Sequence, residues 1–253
     1  MGERSHIGWT DDTWNPWQGC HKVSEECRYC YMYREKMRYG QDPTTIIRSR
    51  PQTFNLPLTR FKGPLVFVCS WSDFFIPDAD AWRPEAWQII RHSPHLTFQI
   101  LTKRPYLIPN RLPHDWGAGF PNVWLGVSVG MSKYAHRLDE LLQIPARLHF
   151  LSAEPLLERL QVNLSGIDWV IAGGESGAGN NYRPADRDHF RHLRDMCKDI
   201  GIPFYLKQLG GNIKINGVYG GRRLDLALHD DIPTFGRGEA LIGLPEKLNA
   251  QNY

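Results

Sequence analysis

Short runs of apolar, β-branched or aromatic residues recur along this chain, separated by longer polar or mixed stretches. Leu65–Cys69, Thr97–Leu101, Val123–Val129, Leu148–Leu151, Trp169–Ala172 and Pro203–Leu206 read as buried strands, because short continuous apolar runs suit strands covered on both faces. Thr13–Gln18 is a less regular candidate for a first strand. Helical periodicity lies between these runs. Pro84 opens one helix, with Trp87 and Ile90 on a shared face before Pro94 stops it. Tyr134, Leu138, Leu141 and Leu142 mark a second helical face. Asp186 caps a third helix, which carries Phe190, Leu193, Cys197 and Ile200 and is closed by Gly201. Tyr31–Tyr39 predicts a further helix, with Gly40 as its stop.

Strand, helix and strand in repetition predict parallel strands joined by right-handed crossovers. Six or seven such units predict an α/β fold, a full or partial (β/α) barrel over residues 1–209. Residues 210–253 differ. Gly210-Gly211, Gly220-Gly221 and a hairpin through Ile213–Tyr219 predict a small C-terminal cap over the barrel mouth or rim. An open doubly wound sheet is the alternative. No Gly-x-Gly-x-x-Gly follows an early strand, which argues against its dinucleotide-binding form.

Hydrophobic residues make up 42% and charged residues 23% of the chain, which excludes a wholly disordered protein. No apolar run is long enough to cross a membrane, so no membrane partner is expected. The first ten residues include Glu3, Arg4 and His6 and lack an apolar signal core, so a cytoplasmic protein is expected. A net charge of +3 permits a nucleic-acid partner without requiring one.

The cysteines change the picture most. There are 5, and an odd count without an export signal argues against a disulfide scaffold. Cys20, Cys27 and Cys30 cluster just after the first candidate strand. Three thiolates this close suit a soft metal centre, and no fourth ligand stands at a regular zinc spacing. His21 is adjacent to Cys20 and would need an awkward turn to serve. Cys197 falls on an apolar helix face and Cys69 ends a strand, so both read as packing thiols.

Barrel enzymes carry their chemistry on the loops that follow the strands. In this chain nearly every apolar run ends in polar or charged residues. Ser70 and Asp73 follow the second strand, Lys103 and Arg104 the third, Ser128 ends the fourth, and Glu154 follows the fifth. Glu175 sits in a Gly-Gly-Glu-Ser-Gly turn whose glycines allow close ligand approach, and Lys207 ends the last strand. Glu175 and Lys207 are the candidate catalytic groups.

Cys20-x6-Cys27-x2-Cys30, with the aromatic Tyr29 just before the third cysteine, resembles the motif of the radical S-adenosylmethionine (SAM) enzymes. The usual first gap in that superfamily is three residues, not six. Ile7-Gly8-Trp9-Thr10, Trp14-Asn15-Pro16-Trp17-Gln18-Gly19-Cys20 and Gly173-Gly174-Glu175-Ser176-Gly177 look like a family of short radical-SAM-like proteins from phages and prokaryotes. That resemblance spans roughly residues 7–230. It implies a [4Fe–4S] cluster on Cys20, Cys27 and Cys30, with one iron open to S-adenosyl-L-methionine. It implies Tyr29 near the adenine. The SAM amino group needs an acceptor, for which Ser70 and Asp73 are the candidates, and the ribose hydroxyls need polar partners, for which Ser128 and Glu154 are the candidates. The resemblance also implies an electron donor such as flavodoxin or ferredoxin and, for a phage protein, the cytoplasm of a bacterial host.

For the substrate, residues Pro43 to Ser72 contain no Asp or Glu and carry Arg48, Arg50, Arg60 and Lys62 with Phe54 and Phe61 interleaved. Cations for phosphates and rings for stacking point to DNA or a nucleotide. One version is the isomerisation of an amino-acid-decorated thymine. The competing function is a non-catalytic zinc or iron–sulfur module that binds nucleic acid or a protein partner.

Overall fold

The computed structural model describes residues 5–234. Its frame is a sheet of 7 strands in sequence order, every neighbouring pair parallel. The strands are β1 (Asp12–Trp14), β2 (Leu65–Val68), β3 (Thr97–Thr102), β4 (Val123–Ser128), β5 (Leu148–Ala153), β6 (Trp169–Gly173) and β7 (Phe204–Gln208). The register steps regularly: Asp12 faces Val66, Val66 faces Phe98, Phe98 faces Val123, Trp124 faces Leu148, Phe150 faces Trp169 and Val170 faces Phe204. No ladder joins β7 to β1 among the described residues. The sheet is a curled half-barrel, the partial form of the expected α/β barrel.

Alternation along the strands sorts two cores. One set, including Val66, Val68, Ile100, Leu125, Val170 and Leu206, packs under the helices and outer loops. The other set packs inside the curl: Trp9, Leu65, Phe67, Trp124, Phe150, Trp169 and Tyr205. Trp9, just before β1, lies 4.6 Å from Phe67 and 6.0 Å from Trp169 between ring centroids, so an aromatic ring plugs the open seam. Gly126 makes room for this packing, because a Cβ there would sit 2.4 Å from the Phe150 ring.

The longer helices are α1 (Tyr31–Arg38), α2 (Arg83–Arg91), α3 (His136–Leu142) and α4 (Arg187–Ile200), and two single-turn helices, Pro51–Phe54 and Leu56–Thr59, lie between α1 and β2. The α4 caps match the sequence. The Asp186 carboxylate accepts the Asp188 N–H at 2.9 Å, and Gly201 closes the helix at φ 74°. Two crossovers lack an α-helix. Pro105 and Pro109 break the β3–β4 connection into 3-10 turns, and residues 154–168 run irregularly with Leu156, Leu160 and Leu164 buried.

Two local expectations are corrected. Thr13–Gln18 is not one strand: the chain bends at Pro16, and Trp17–Gln18 pairs antiparallel with Ile47–Arg48. The stretch Pro43 to Ser72 offers no Phe stacking surface, since Phe54 and Phe61 are buried in the outer core and the Arg48 guanidinium lies 4.1 Å from the Phe54 ring.

The C-terminal hairpin pairs Lys214–Ile215 with Val218–Tyr219 across Asn216 and Gly217, both at positive φ. A second hairpin joins Arg223–Leu224 to Ala227–Leu228. The chain then runs antiparallel along the free edge of β7, where Leu206 N–H donates to His229 O at 2.8 Å. The cap thus follows the side of β7 and the rim, and no described residue beyond Gln208 lines the central cavity. The rest of the expected cap, residues 235–253, lies outside the described residues. Gly126→Ala is expected to lower the unfolding free energy by about 1–3 kcal/mol through overpacking against Phe150, measured by urea denaturation followed through Trp fluorescence. Unchanged stability would mean that the inner layer is loosely packed.

Candidate functional site

Inward positions change character along the half-barrel. They are aromatic or aliphatic at one end and become Ser128, Ser152, Gly173 and Lys207 at the C-terminal ends of β4 to β7. A cavity of about 620 Å³ opens there. Every candidate position lines it: Cys20, Cys27, Cys30 and Tyr29 from the loop after β1, Ser70 and Asp73 after β2, Ser128, Glu154, Glu175 and Lys207. Polar groups chosen at the ends of separate apolar runs therefore converge, because parallel strands in sequence order present all their exits on one face.

The cysteine loop is built by backbone constraints first. The Asn15 side chain takes the Trp71 N–H at 2.8 Å and donates to the Ser70 hydroxyl at 2.9 Å, tying the exits of β1 and β2 together. Gly19 follows at φ 93°, where a Cβ would stand 2.2 Å from Thr45 O. Ser72 Oγ donates to Gly19 O at 2.6 Å, and Tyr33 OH donates to Cys20 O at 2.5 Å. A single 3-10 turn, Glu25–Cys27, brings the chain to Cys30, which immediately precedes α1.

Three arginine–carboxylate pairs then pin this loop to the rest of the half-barrel. Arg104 binds Asp73 at 2.9 Å, donates to His21 O at 2.6 Å, and places Nη1 at 3.7 Å from Cys20 Sγ. Glu26, its side chain wholly buried, accepts from Arg137 of α3 at 2.6 Å and from Gly130 N–H at 2.6 Å. Arg137 also donates to Ser128 O at 2.9 Å. Glu175 is held by Arg183 through its backbone N–H, Nε and Nη2 at 2.8, 2.9 and 2.7 Å, while Arg183 Nη1 reaches Glu25 O at 3.0 Å. Charge-assisted contacts of this kind are strong and directional, and burial makes them intolerant of losing one partner.

These contacts define the partners of each candidate side chain. Both oxygens of Glu175 accept from Arg183, which ties this cavity-lining carboxylate to the cysteine loop. Asp73 is likewise occupied by Thr102 Oγ1, Lys103 N–H, Phe75 N–H and Arg104. The Ser70 hydroxyl is engaged by Asn15. Tyr29 lies against two guanidiniums, Arg28 at 5.1 Å and Arg183 at 5.7 Å from its ring centre. Glu154 accepts from Lys207 Nζ at 2.6 Å, and Gly173 leaves the space its carboxylate fills. Lys103 Nζ reaches only a backbone oxygen, Glu154 O at 3.4 Å, and has no carboxylate partner among the described residues. His21 turns away to Asp78 at 3.2 Å.

Burial, reinforced by Asp73, pushes the Cys20 thiol up to about 12, while Arg104 pulls the other way. Burial also raises Cys69 and pushes Cys197 up to about 12, which fits two inert packing thiols. No three His, Cys, Asp or Glu side chains among the described residues converge closely enough to hold a single metal ion. Sequence reading missed Glu26, Arg137 and Arg183. A signal existed for Arg137, a charge beside the Tyr134–Leu138–Leu141 face. Arg183 lies eight residues from Glu175 in an irregular loop, with no periodicity to reveal the pairing.

The chain matches the family described as a protein of unknown function, DUF5131, over residues 4–233, and belongs to it. No curated protein and no solved structure matches it. No described helix is long and apolar enough to cross a membrane. Arg137→Met should cost about 3–5 kcal/mol of stability by stranding the buried Glu26 carboxylate, and Glu26→Gln in the same chain should recover part of the loss. Thermal and urea unfolding of both variants measure this. Equal stability of the two would mean that the pair does not anchor the loop.

Proposed function

We propose that this protein is a radical SAM enzyme, with Cys20, Cys27 and Cys30 on three irons of a [4Fe–4S] cluster and the fourth iron open to S-adenosyl-L-methionine. The supporting observation is the cavity itself, where three cysteine side chains meet polar groups from the ends of the other strands of a parallel half-barrel. The donor set fits the group. Thiolates are soft ligands, and a cuboid cluster seats each on its own iron, whereas zinc gathers its ligands within roughly 2.0–2.3 Å of one point. A cluster held by these three cysteines would supply one-electron reductive cleavage of SAM, with the electron drawn from a donor such as flavodoxin or ferredoxin, and so hydrogen-abstraction chemistry on a substrate.

The chain's own residues hold and shield. The three arginine–carboxylate pairs keep the cysteine loop over the cavity. Ser128 and Glu154 offer an accepting surface for hydroxyl groups, and Lys103 offers a cation to an anion. Trp9, Phe67 and Leu101 close the deep end and exclude water from a reactive carbon centre. Lys207, paired with Glu154 at the end of β7, lines the cavity, which supports reading it as a group that meets a substrate.

Anaerobic reconstitution should give a brown protein with about four irons per chain, lost in Cys20→Ala, Cys27→Ala or Cys30→Ala. After reduction the protein should convert SAM to 5′-deoxyadenosine and methionine. A colourless, zinc-loaded protein would instead establish the binding-module reading.

For the substrate we infer DNA or a nucleotide, a modified base such as an amino-acid-decorated thymine included. The support is the acid-free stretch, which keeps Arg50 and Lys62 exposed, although its two Phe rings are not available for stacking. A base in duplex DNA would have to be flipped out to reach the cavity. DNA affinity should fall as salt rises, with a shallower slope for Arg50→Glu/Lys62→Glu. Absence of DNA and nucleotide binding at low salt would move the substrate to another class.

A further inference from the structure

Arg104 stands out among the cavity residues because it meets the cysteine loop at a sulfur. It follows β3, is 4% exposed, and is held from behind by Asp73, also 4% exposed. One terminal nitrogen faces both the Asp73 carboxylate, at 2.9 Å, and Cys20 Sγ, at 3.7 Å, while the other is fixed on His21 O at 2.6 Å. Three fixed contacts leave the guanidinium little freedom to swing away from the sulfur. Among the described residues the loop's own cations point elsewhere: Lys22 turns to Arg28 O and the Tyr33 ring, and Arg28 lies on Tyr29.

We propose that Arg104 is a positioning residue that sets the electron affinity of the metal centre through Cys20. The inference rests on the reading of Cys20 as a cluster ligand. A hydrogen bond to a ligating sulfur, and a positive charge beside it, draw electron density from the thiolate and favour the reduced, more negative cluster. Burial strengthens the effect, because little water is present to screen the charge. Asp73 works in the opposite sense. Its carboxylate holds Arg104 in place but adds negative charge near the same sulfur. The reduction potential therefore reflects the two charges together, and it can be moved either by removing Arg104 alone or by removing both.

The test is the midpoint potential of the reconstituted protein, read by electron paramagnetic resonance during a redox titration, with iron content measured in parallel. Arg104→Met leaves Asp73 uncompensated and should give the most negative potential, with a smaller reduced fraction at any fixed applied potential. Asp73→Asn/Arg104→Met removes both charges and should fall between that variant and the unaltered protein. Arg104→Lys keeps the charge and should restore most of the shift. If Arg104→Met fails to load iron, the double variant and Arg104→Lys carry the same comparison. Iron-loaded variants that all titrate with the unaltered protein would overturn the inference and leave the proposed function standing. An unaltered protein that takes up no iron would overturn both.

Discussion

The buried contact between Asp73 and Arg104 joins three parts of the chain that are far apart in sequence. Asp73 comes from the exit of β2, Arg104 from the exit of β3, and the guanidinium extends to the cysteine loop that follows β1. Neither charge has water to fall back on, so each depends on the other, and both depend on the neighbouring strands being in register. Thr102 and the Lys103 N–H add two more bonds to the same carboxylate. The mouth of the half-barrel is shaped by this knot before any ligand arrives.

The pairs Glu26–Arg137 and Glu175–Arg183 repeat the device on the far side of the loop. Together the three pairs clamp one loop from β3, α3 and the turn after β6. Such an arrangement lets a long insertion between β1 and β2 be rigid without a helix of its own over most of its length. Most of the lining carboxylates are engaged in placing the loop, while Lys103, Ser128 and the Glu154–Lys207 pair line the cavity opposite it.

The half-barrel solves the remaining problem, an open seam between β7 and β1. Closing it with an eighth strand would cover the mouth's side wall with backbone. Here aromatic rings do the work instead, with Trp9 wedged between Phe67 and Trp169, and the segment after the second hairpin pairs with the free edge of β7. Membership of the DUF5131 family covers nearly all of this unit, residues 4–233.

Much of this was legible in the chain. Apolar runs of strand length, spaced by helical or proline-broken stretches, already determined a parallel α/β sheet, and the caps Asp186 and Gly201 determined the bounds of α4. Polar residues at the end of each run determined which positions would share a face, because parallel strands in order leave no other choice. Local patterns of this sort depend only on neighbours within a few residues. The pairings did not. Whether Glu175 is an open acid or a holding group depends on Arg183 folding back over it. Phe54 and Phe61 become core instead of stacking surface only when the two turns at Pro51–Phe54 and Leu56–Thr59 pack on the sheet. Arg104 and Cys20 are 84 residues apart and meet only once β1, β2 and β3 are aligned. Chemistry type was written in residue identity, while the state of each charge was decided by which partner the tertiary structure delivered.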